Sequence, residues 1–306
     1  MKEKLIQYNT LIIFLLLFVG SSFLSDSFLT TNNLGNLARQ IAPIGLVSIG
    51  MFLVILSSGI DLSVGSILAC VSVAFAVFSY EVYFPFALLF ALLVGLGIGA
   101  ASGYLVAYKK IAPFIATLAL MTIARGAGFL LSKGAPITVG EYSSSILLLG
   151  SATILGVPLS AWILLVIFGL VYIVLNYHVL GRHIIAVGSN EEAVRLSGIS
   201  VERTKFLVYA ASGLLSGIGA LMMVGRTGVG SPNIGVGLEL DAIAAVVIGG
   251  TSLAGGRGSL VHTLLGVLIL GMIGNIMNLL DVTSYLQQLI KGVIIILAVI
   301  FQKKYT

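Results

Sequence analysis

One acidic side chain stands in apolar surroundings, in the stretch S-S-G-I-D-L-S-V-G-S at 57–66. A carboxylate there can accept hydrogen bonds from the free N–H groups of a helix start, and Asp61 and Ser63 are both residue types that cap helices well. Gly59 and Gly65 give the backbone around them the freedom to turn. We therefore interpret the stretch as a helix break in which Asp61 or Ser63 caps the next helix. The alternative is a charged gate.

The basic residue Arg125 lies within another apolar run, in the segment A-R-G-A-G. An arginine inside a membrane span needs a carboxylate or carbonyl partner, so Arg125 is either a structural anchor or part of a pathway lining.

The residue patterns of common enzymes and metal proteins are missing from the sequence. It contains no G-x-x-x-x-G-K-[ST] motif to hold ATP phosphates, and neither a nucleophile elbow nor a pair of acids placed for catalysis. His178, His183 and His262 lie far apart and never at the i, i+4 spacing of a helical metal site. We expect no enzymatic activity, and no cofactor or metal bound by this chain.

The amino-acid composition indicates which kind of structure holds these residues in place. Hydrophobic residues make up 58% of the 306 residues and charged residues only 9%, too few to cover a water-facing surface. The apolar runs are long enough for helices that cross a hydrocarbon layer of about 30 Å. The sequence therefore predicts an all-α, polytopic membrane protein, with about ten spans at 11–28, 40–57, 64–80, 84–107, 112–132, 159–178, 205–225, 238–254, 260–280 and 284–301. Eight or nine spans with re-entrant pieces are the alternative.

The first span resembles a signal peptide, since Lys2 and Lys4 precede its apolar core. We expect it to stay uncleaved, because the apolar stretch continues to Phe28.

Basic residues in short loops predict the orientation. Lys109-Lys110, the loop at 181–205, Arg257 and Lys303-Lys304 all fall on one side if the N-terminus is cytoplasmic. Because lysine and arginine are enriched in cytoplasmic loops, both termini are expected inside the cell. The positive net charge then reflects orientation in the membrane and gives no reason to expect a nucleic-acid partner.

A faint internal repeat relates the two glycine-rich breaks of the chain. Ser66 follows V-G and Ser259 follows R-G, each just before an apolar run. Transporters built from repeated halves often carry such breaks near their pathway, although chance similarity between glycine-rich turns is the alternative. The gating candidates are the residues of these breaks: Gly59, Asp61, Ser63, Gly65, Gly255, Gly256, Arg257 and Gly258.

The loop at 181–205 holds the most charged stretch of the chain. Ser189 or Asn190 can start a short helix there, acids occupy its first turn, and Gly198 can end it. A helix of one or two turns is not stable alone in water, so it is expected to lie against another protein or the membrane. The docking candidates are Ser189, Asn190, Glu191, Glu192, Ala193, Arg195, Leu196 and Gly198. A solvated loop is the plain alternative.

The chain resembles the ribose-type carbohydrate permeases of bacterial ATP-binding-cassette importers. Four motifs carry the resemblance: G-I-D-L-S-V-G-S at 59–66, T-L-A-L-M-T-I-A-R-G at 117–126, G-S-N-E-E-A-V-R-L-S-G-I at 188–199 and E-L-D-A-I-A-A-V-V-I-G-G-T-S-L-A-G-G-R-G-S at 239–259. The resemblance covers nearly the whole chain.

The resemblance implies that residues 1–306 form a single permease domain of the bacterial inner membrane, which translocates a monosaccharide by alternating access. It implies that the 188–199 segment is a coupling helix seated on an ATPase subunit, which uses the ATP. The other implied partners are a second, identical or homologous permease, a periplasmic or lipid-anchored sugar-binding protein, and membrane lipid. Permeases for nucleosides or branched-chain amino acids are a related alternative.

A secondary transporter driven by an ion gradient is the rival class of protein. Such transporters place acids deep in the membrane, whereas the acids here, including Asp61, are expected at span ends. That expectation argues against ion coupling. Polar residues near breaks or in mid-span are the candidates for lining a pathway: Arg125, Thr251, Ser252, Asn275 and Asn278. Asn275 and Asn278 are three residues apart and share a helix face, with hydrogen bonding between helices as their alternative role.

Overall fold

The computed structural model describes residues 2–302. Lys303 and Lys304, which the orientation argument uses, lie outside the described residues. The described part contains thirteen α-helices: α1 (Lys2–Leu24), α2 (Thr31–Leu56), α3 (Val64–Phe78), α4 (Phe84–Ala107), α5 (Pro113–Ser132), α6 (Leu148–Ser151), α7 (Leu159–Tyr177), α8 (Val179–Ser189), α9 (Glu191–Leu196), α10 (Val201–Thr227), α11 (Leu238–Ile248), α12 (Leu260–Leu279) and α13 (Ser284–Gln302). A 3₁₀ helix spans Glu141–Leu147.

The helical class predicted from the sequence is confirmed. Every predicted span coincides with a helix, and α6, α8 and α9 are additional. Within residues 2–302, six helices are long and apolar enough to cross a membrane: α2, α4, α5, α7, α10 and α12. The protein is therefore a polytopic helical membrane protein, while the number of ten spans stays a prediction.

Two predicted spans, 64–80 and 238–254, are not full-length helices. α3 has 15 residues and α11 has 11. At about 1.5 Å per residue, neither crosses a layer of about 30 Å alone. Non-helical segments, 57–63 before α3 and 228–237 before α11, continue each path through the protein. Hydropathy alone misses this, because an apolar segment scores equally whether it is extended or helical.

Helices α2 and α10 form the centre of the molecule, and the other long helices surround them. Of the span windows, 83% of the α2 window and 72% of the α10 window are buried, against 22% for α4 and α5 and 17% for α7. The outer helices therefore turn most of their apolar surface outward, as lipid-facing helices do.

Small residues bring α4 and α10 into close contact, as the glycine-rich stretch at 95–103 and the Gly213–Gly217 pair predict. A β-carbon added at Gly95 would lie 2.8 Å from the Gly213 carbonyl oxygen, and one added at Gly99 would lie 2.8 Å from the Gly213 Cα. Glycines four residues apart let backbones meet at this distance, which is a common basis of helix association in membranes.

Two short two-stranded sheets close one end of the bundle. Strand β1 (Ile137–Thr138) pairs antiparallel with β4 (Val229–Gly230), and β2 (Thr153–Ile154) pairs with β3 (Val157–Pro158). At the same end Ser79 Oγ accepts a hydrogen bond from the Gly140 N–H at 2.7 Å. The loops expected outside the cell thus meet at this end, while α8 and α9 lie at the opposite end of α7 and α10.

Candidate functional site

Helix α9 is the short helix that the sequence predicts in the charged loop. Asn190 is its N-cap, and the side-chain oxygen accepts a hydrogen bond from the Ala193 N–H at 3.0 Å. Glu191 and Glu192 occupy the first turn, where their charge suits the positive end of the helix dipole. Gly198 follows the helix with φ +77°, a left-handed conformation that favours glycine. In this loop the sequence did not predict α8, the helix that leads directly into α9.

Ion pairs fix α9 to the start of α10. Arg195 lies 3.2 Å from Glu191 and 3.4 Å from Glu202 of α10, measured from nitrogen to carboxylate oxygen. Glu191 also pairs with Lys205 of α10 at 2.5 Å. A network of several charges holds geometry better than one exposed pair does. These ion pairs therefore link α9 directly to α10, the central helix.

The side chains of α9 divide between the body of the protein and the outside. Val194 is buried and packs with Val187 and Val201. Ala193 and Glu192 are exposed, and Leu196 is 81% exposed. The sequence predicts that Ala193, Val194 and Leu196 all contact something, and within this chain only Val194 is buried. Leu196 thus points an apolar side chain outward from a helix that ion pairs hold to α10.

The end of α8 touches both glycine-rich breaks at a point that we call the junction, formed by Leu56–Ser58, Gly188–Ser189 and Ala254–Gly256. The Gly256 N–H donates to the Leu56 carbonyl at 2.9 Å. The Ser58 hydroxyl lies 2.9 Å from the Gly188 carbonyl oxygen and 2.5 Å from that of Ala254. Three segments that are distant in sequence thus meet immediately before α9.

The junction leaves no room for larger residues. A β-carbon at Gly188 would collide with the Leu56 carbonyl oxygen, and one at Gly256 would lie 2.7 Å from the Ser189 Cα. Gly255 and Gly256 have φ values of +90° and +70°, so both need the freedom of glycine. Ser189 and Gly256, chosen from the sequence for separate roles, are direct neighbours.

The rest of the second break forms a tight turn. The Ser252 N–H donates to the Arg257 carbonyl at 2.9 Å, and the Ser252 side chain accepts from the Ala254 N–H at 3.3 Å. Arg257 is exposed, while Thr251 is buried where a β-carbon at Gly258 would touch it. Thr251 and Ser252 therefore shape this turn in the described state.

Two half-helices begin at a second point, which we call the node. Gly65 at the start of α3 meets Gly235 just before α11, and an added β-carbon on Gly65 would lie 2.6 Å from Glu239 Oε2. The N-terminus of each helix carries a partial positive charge, so two of them converge here. Transporters with discontinuous helices bind solutes and ions at such places.

Arg125 holds the node together from α5. Nη1 donates to the carbonyls of Pro232 and Ile234 at 2.7 and 2.8 Å, and Nε donates to Ser66 Oγ at 3.2 Å. The arginine therefore clamps the turn segment before α11 onto α3, with its side chain only half-buried. The structure shows carbonyl partners of the kind that the sequence argument requires, which supports the anchor interpretation and leaves contact with a solute untested.

Asp61 is fully buried in the break between α2 and α3. Oδ2 accepts a hydrogen bond from Ser212 at 3.0 Å, near the middle of α10. Residues 57–63 turn inward after Leu56 towards α10, while the position of Asp61 at the end of the spans stays a prediction. Ser63 is the N-cap of α3 but makes no side-chain capping bond, and Asp61 Oδ1 instead accepts from Ser63 N and Oγ at 3.0 and 2.5 Å. Gly59 packs against the Tyr209 hydroxyl beside it.

The two pathway asparagines do not act as a pair. Asn275 exchanges hydrogen bonds of 2.8 and 3.0 Å with Asn33 of α2, and Asn278 accepts one from Gln287 of α13 at 2.8 Å. The shared face expected from their spacing is therefore split between two neighbouring helices. Each asparagine has the interhelical role that the sequence left as the alternative.

Sequence reasoning missed several partners of the site: Ser58, Gly188, Tyr209, Ser212 and Gly235. None of them carries a charge, and although Ser58 and Gly188 lie inside stretches quoted above, each matters only through the distant segment that it touches. Glu239 is the first residue of the predicted 239–259 motif, but nothing in its sequence surroundings indicates its position beside Gly65.

Comparison with known proteins gives a family match for most of the chain. Residues 33–299 match the family described as branched-chain amino acid transport system / permease component. No solved structure matches the chain.

Individual relatives are similar over almost their whole length. The ribose import permease protein of Escherichia coli is 44% identical over 306 residues, covering 99% of this chain and 95% of the relative. That of Bacillus subtilis is 42% identical over 284 residues, covering 92% and 88%. The L-arabinose transport system permease protein of Escherichia coli is 38% identical over 308 residues, covering 97% and 90%. The resemblance noted from the four motifs is confirmed.

Proposed function

The chain belongs to the branched-chain amino acid transport system / permease component family, and on that premise we propose that it is the membrane subunit of a bacterial importer that passes a ribose-like monosaccharide. Its family and its apolar helices make it a multi-pass permease of the inner membrane, a transporter component. The ribose and arabinose permeases among its relatives favour a sugar over an amino acid or a nucleoside as the substrate.

A cytoplasmic ATPase drives the proposed cycle through α9. The exposed side chain of Leu196 is the observation that carries this proposal, because α9 presents it outward while the ion pairs of Arg195 and Glu191 hold the helix to α10. Loop 181–205 is the coupling loop of a single permease domain, 1–306. A push on α9 reaches α10 through these ion pairs, and both breaks through Gly188 and Ser189.

The remaining parts of the proposal follow the resemblance. Ten spans place both termini in the cytoplasm, so that the end of the bundle with α8 and α9 faces the ATPase. A second permease, identical or homologous, completes the pathway, and a periplasmic or lipid-anchored protein delivers the sugar. The ATPase uses the ATP, and this chain binds no nucleotide, metal or nucleic acid.

Leu196→Asp tests the proposal without disturbing the fold, since the side chain is exposed. We expect the variant to reach the membrane in normal amounts but to lose the ATPase on purification, and with it ATP-driven sugar uptake. Leu155→Asp is the matched control, because Leu155 is 90% exposed at the opposite end of the molecule. A Leu196→Asp protein that retains the ATPase and transports at the normal rate would show that α9 is no docking helix.

A secondary transporter is the second candidate, and the buried position of Asp61 is the observation that favours it. Ion-coupled transporters use buried carboxylates of this kind. The two candidates differ in vesicles that contain this chain alone: sugar uptake driven by an ion gradient without ATP would establish the secondary transporter and exclude the ATPase-driven one.

A further inference from the structure

A cavity of about 450 Å³ lies between α8 and the beginning of α10. Ten residues line it: His178, Val179, Leu180, His183, Gly198, Ile199, Ser200, Arg203, Thr204 and Leu207. Three of them are basic in type and none is acidic. The cavity therefore offers donors and positive charge, and it suits an anionic group.

Two basic side chains of the cavity, His178 and Arg203, can donate hydrogen bonds to a ligand. His178 Nδ1 accepts a hydrogen bond from the Leu180 N–H at 3.1 Å, so a neutral ring carries its proton on Nε2, which can donate. The side chain of Arg203 takes part in none of the ion pairs found within residues 2–302. A guanidinium fork is well matched to the oxygens of a phosphate group.

Apolar side chains complete the cavity on its other side. Val179 is 47% exposed and Leu207 is 39% exposed. The cavity begins where α7, the least buried of the long apolar helices, ends at the exposed Tyr177. Tyrosine at the end of an apolar helix is typical of the boundary between hydrocarbon and lipid headgroups. Donors beside exposed apolar surface at this level fit a headgroup and its acyl chain together.

We propose that this cavity binds the phosphate group of an anionic phospholipid. The phosphate contacts Arg203, His178 and His183, and an acyl chain lies along Leu207. Gly198 and Ile199 belong to the cavity wall and directly follow α9, and Ile199 packs on the valine cluster beneath that helix. A bound lipid thus braces α9 from the membrane side.

Native mass spectrometry of the purified chain tests the proposal directly, and it needs no partner subunit. We expect the wild-type protein to retain phosphatidylglycerol in preference to phosphatidylcholine. Arg203→Gln should weaken that retention about fivefold, in line with the attraction of one arginine to an anionic surface. His183→Gln should weaken it as well, because it changes the polar side chain on the α8 side of the cavity. Lys110→Gln is the matched control, because it removes one exposed charge from the same end of the bundle without touching the cavity.

Three results would overturn the proposal. The first is equal retention of the two lipids by the wild-type chain. The second is a loss in Lys110→Gln as large as in the cavity variants, since that would indicate general surface charge. The third is protection of the lipid-free protein by inorganic phosphate, measured as a raised unfolding temperature that Arg203→Gln abolishes, without any selective retention of phosphatidylglycerol. That outcome would assign the cavity to a soluble anion. None of these readouts depends on transport, so they are separable from the proposed import function.

Discussion

Asp61 is a buried carboxylate whose hydrogen bonds come from hydroxyl and backbone donors. Asn retains the acceptor for Ser63, and its amide can donate to the Ser212 hydroxyl, so Asp61→Asn should change the free energy of unfolding by no more than about 1 kcal/mol. Asp61→Ala leaves those donors unpaired, at a cost of roughly 1–3 kcal/mol for each buried group. The measurement is the thermal unfolding midpoint in detergent, where only Asp61→Ala should fall clearly.

Asp26→Ala is the control for this comparison, because Asp26 is exposed in the turn after α1. Equal loss of stability in Asp61→Asn and Asp61→Ala would contradict the hydrogen-bond account. It would mean that the negative charge itself holds the break in place.

The role of Arg125 depends on the shape of its guanidinium group more than on its positive charge. Its guanidinium reaches Ser66 and two carbonyls at once, which one ammonium group cannot do. A charged hydrogen bond is worth about 1.5–3 kcal/mol, so losing one shifts a conformational equilibrium about tenfold or more. We expect Arg125→Lys to reduce sugar uptake by about that factor.

The control for Arg125→Lys is Arg226→Lys, at an exposed position near the end of α10. Uptake is measured at equal amounts of membrane-inserted protein. Normal uptake by Arg125→Lys would show that the clamp on the 228–237 segment does not matter for transport.

Among the helices, the contact between α4 and α10 depends most directly on residue size. Gly99 faces the Gly213 backbone, whereas no atom lies within 4 Å of a β-carbon added at Gly97, two residues away on the same helix. Gly99→Leu must push the two helices apart, and Gly97→Leu only adds lipid-facing surface. We expect Gly99→Leu to lower the yield of monodisperse protein severalfold in size-exclusion chromatography, and Gly97→Leu to leave it unchanged. Equal yields would mean that α4 and α10 can move apart at Gly99 without loss of folded protein.

Local patterns predicted the elements well, and long-range contacts explain what they missed. The N-cap of α9 at Asn190 and its end at Gly198 each depend on a few neighbouring residues. The close contact between α4 and α10 depends on small residues spaced four positions apart. The half-helices α3 and α11 could not be found in this way, since the turn inward after Leu56 is stabilised by Ser212 and Tyr209, about 150 positions away. The spacing of Asn275 and Asn278 likewise says nothing about which neighbouring helix each one meets.

At the scale of the whole molecule, the junction connects the start of α9 with both breaks. A β-carbon added at Gly188 would collide with both the Leu56 carbonyl oxygen and the Gly256 nitrogen, so this one glycine lies against both breaks. The breaks that the faint repeat relates lie in direct contact here, although the repeat itself stays a prediction. If the ATPase moves α9, the contacts among these three segments must change during transport. Locking them should therefore stop the cycle.

A reversible disulfide tests this requirement. Ser58 and Ala254 are in contact, with the Ser58 hydroxyl 2.5 Å from the Ala254 carbonyl oxygen. Cys70 is the chain's only cysteine and is replaced by serine beforehand. We expect Ser58→Cys/Ala254→Cys to lose uptake on oxidation and regain it with a reducing agent, while the ATPase stays bound throughout because α9 is unaltered. Each single-cysteine variant is the control for oxidation without a crosslink. If the fully crosslinked permease imports sugar as fast as the same variant does after reduction, the junction is static. In that case α9 drives transport by another route.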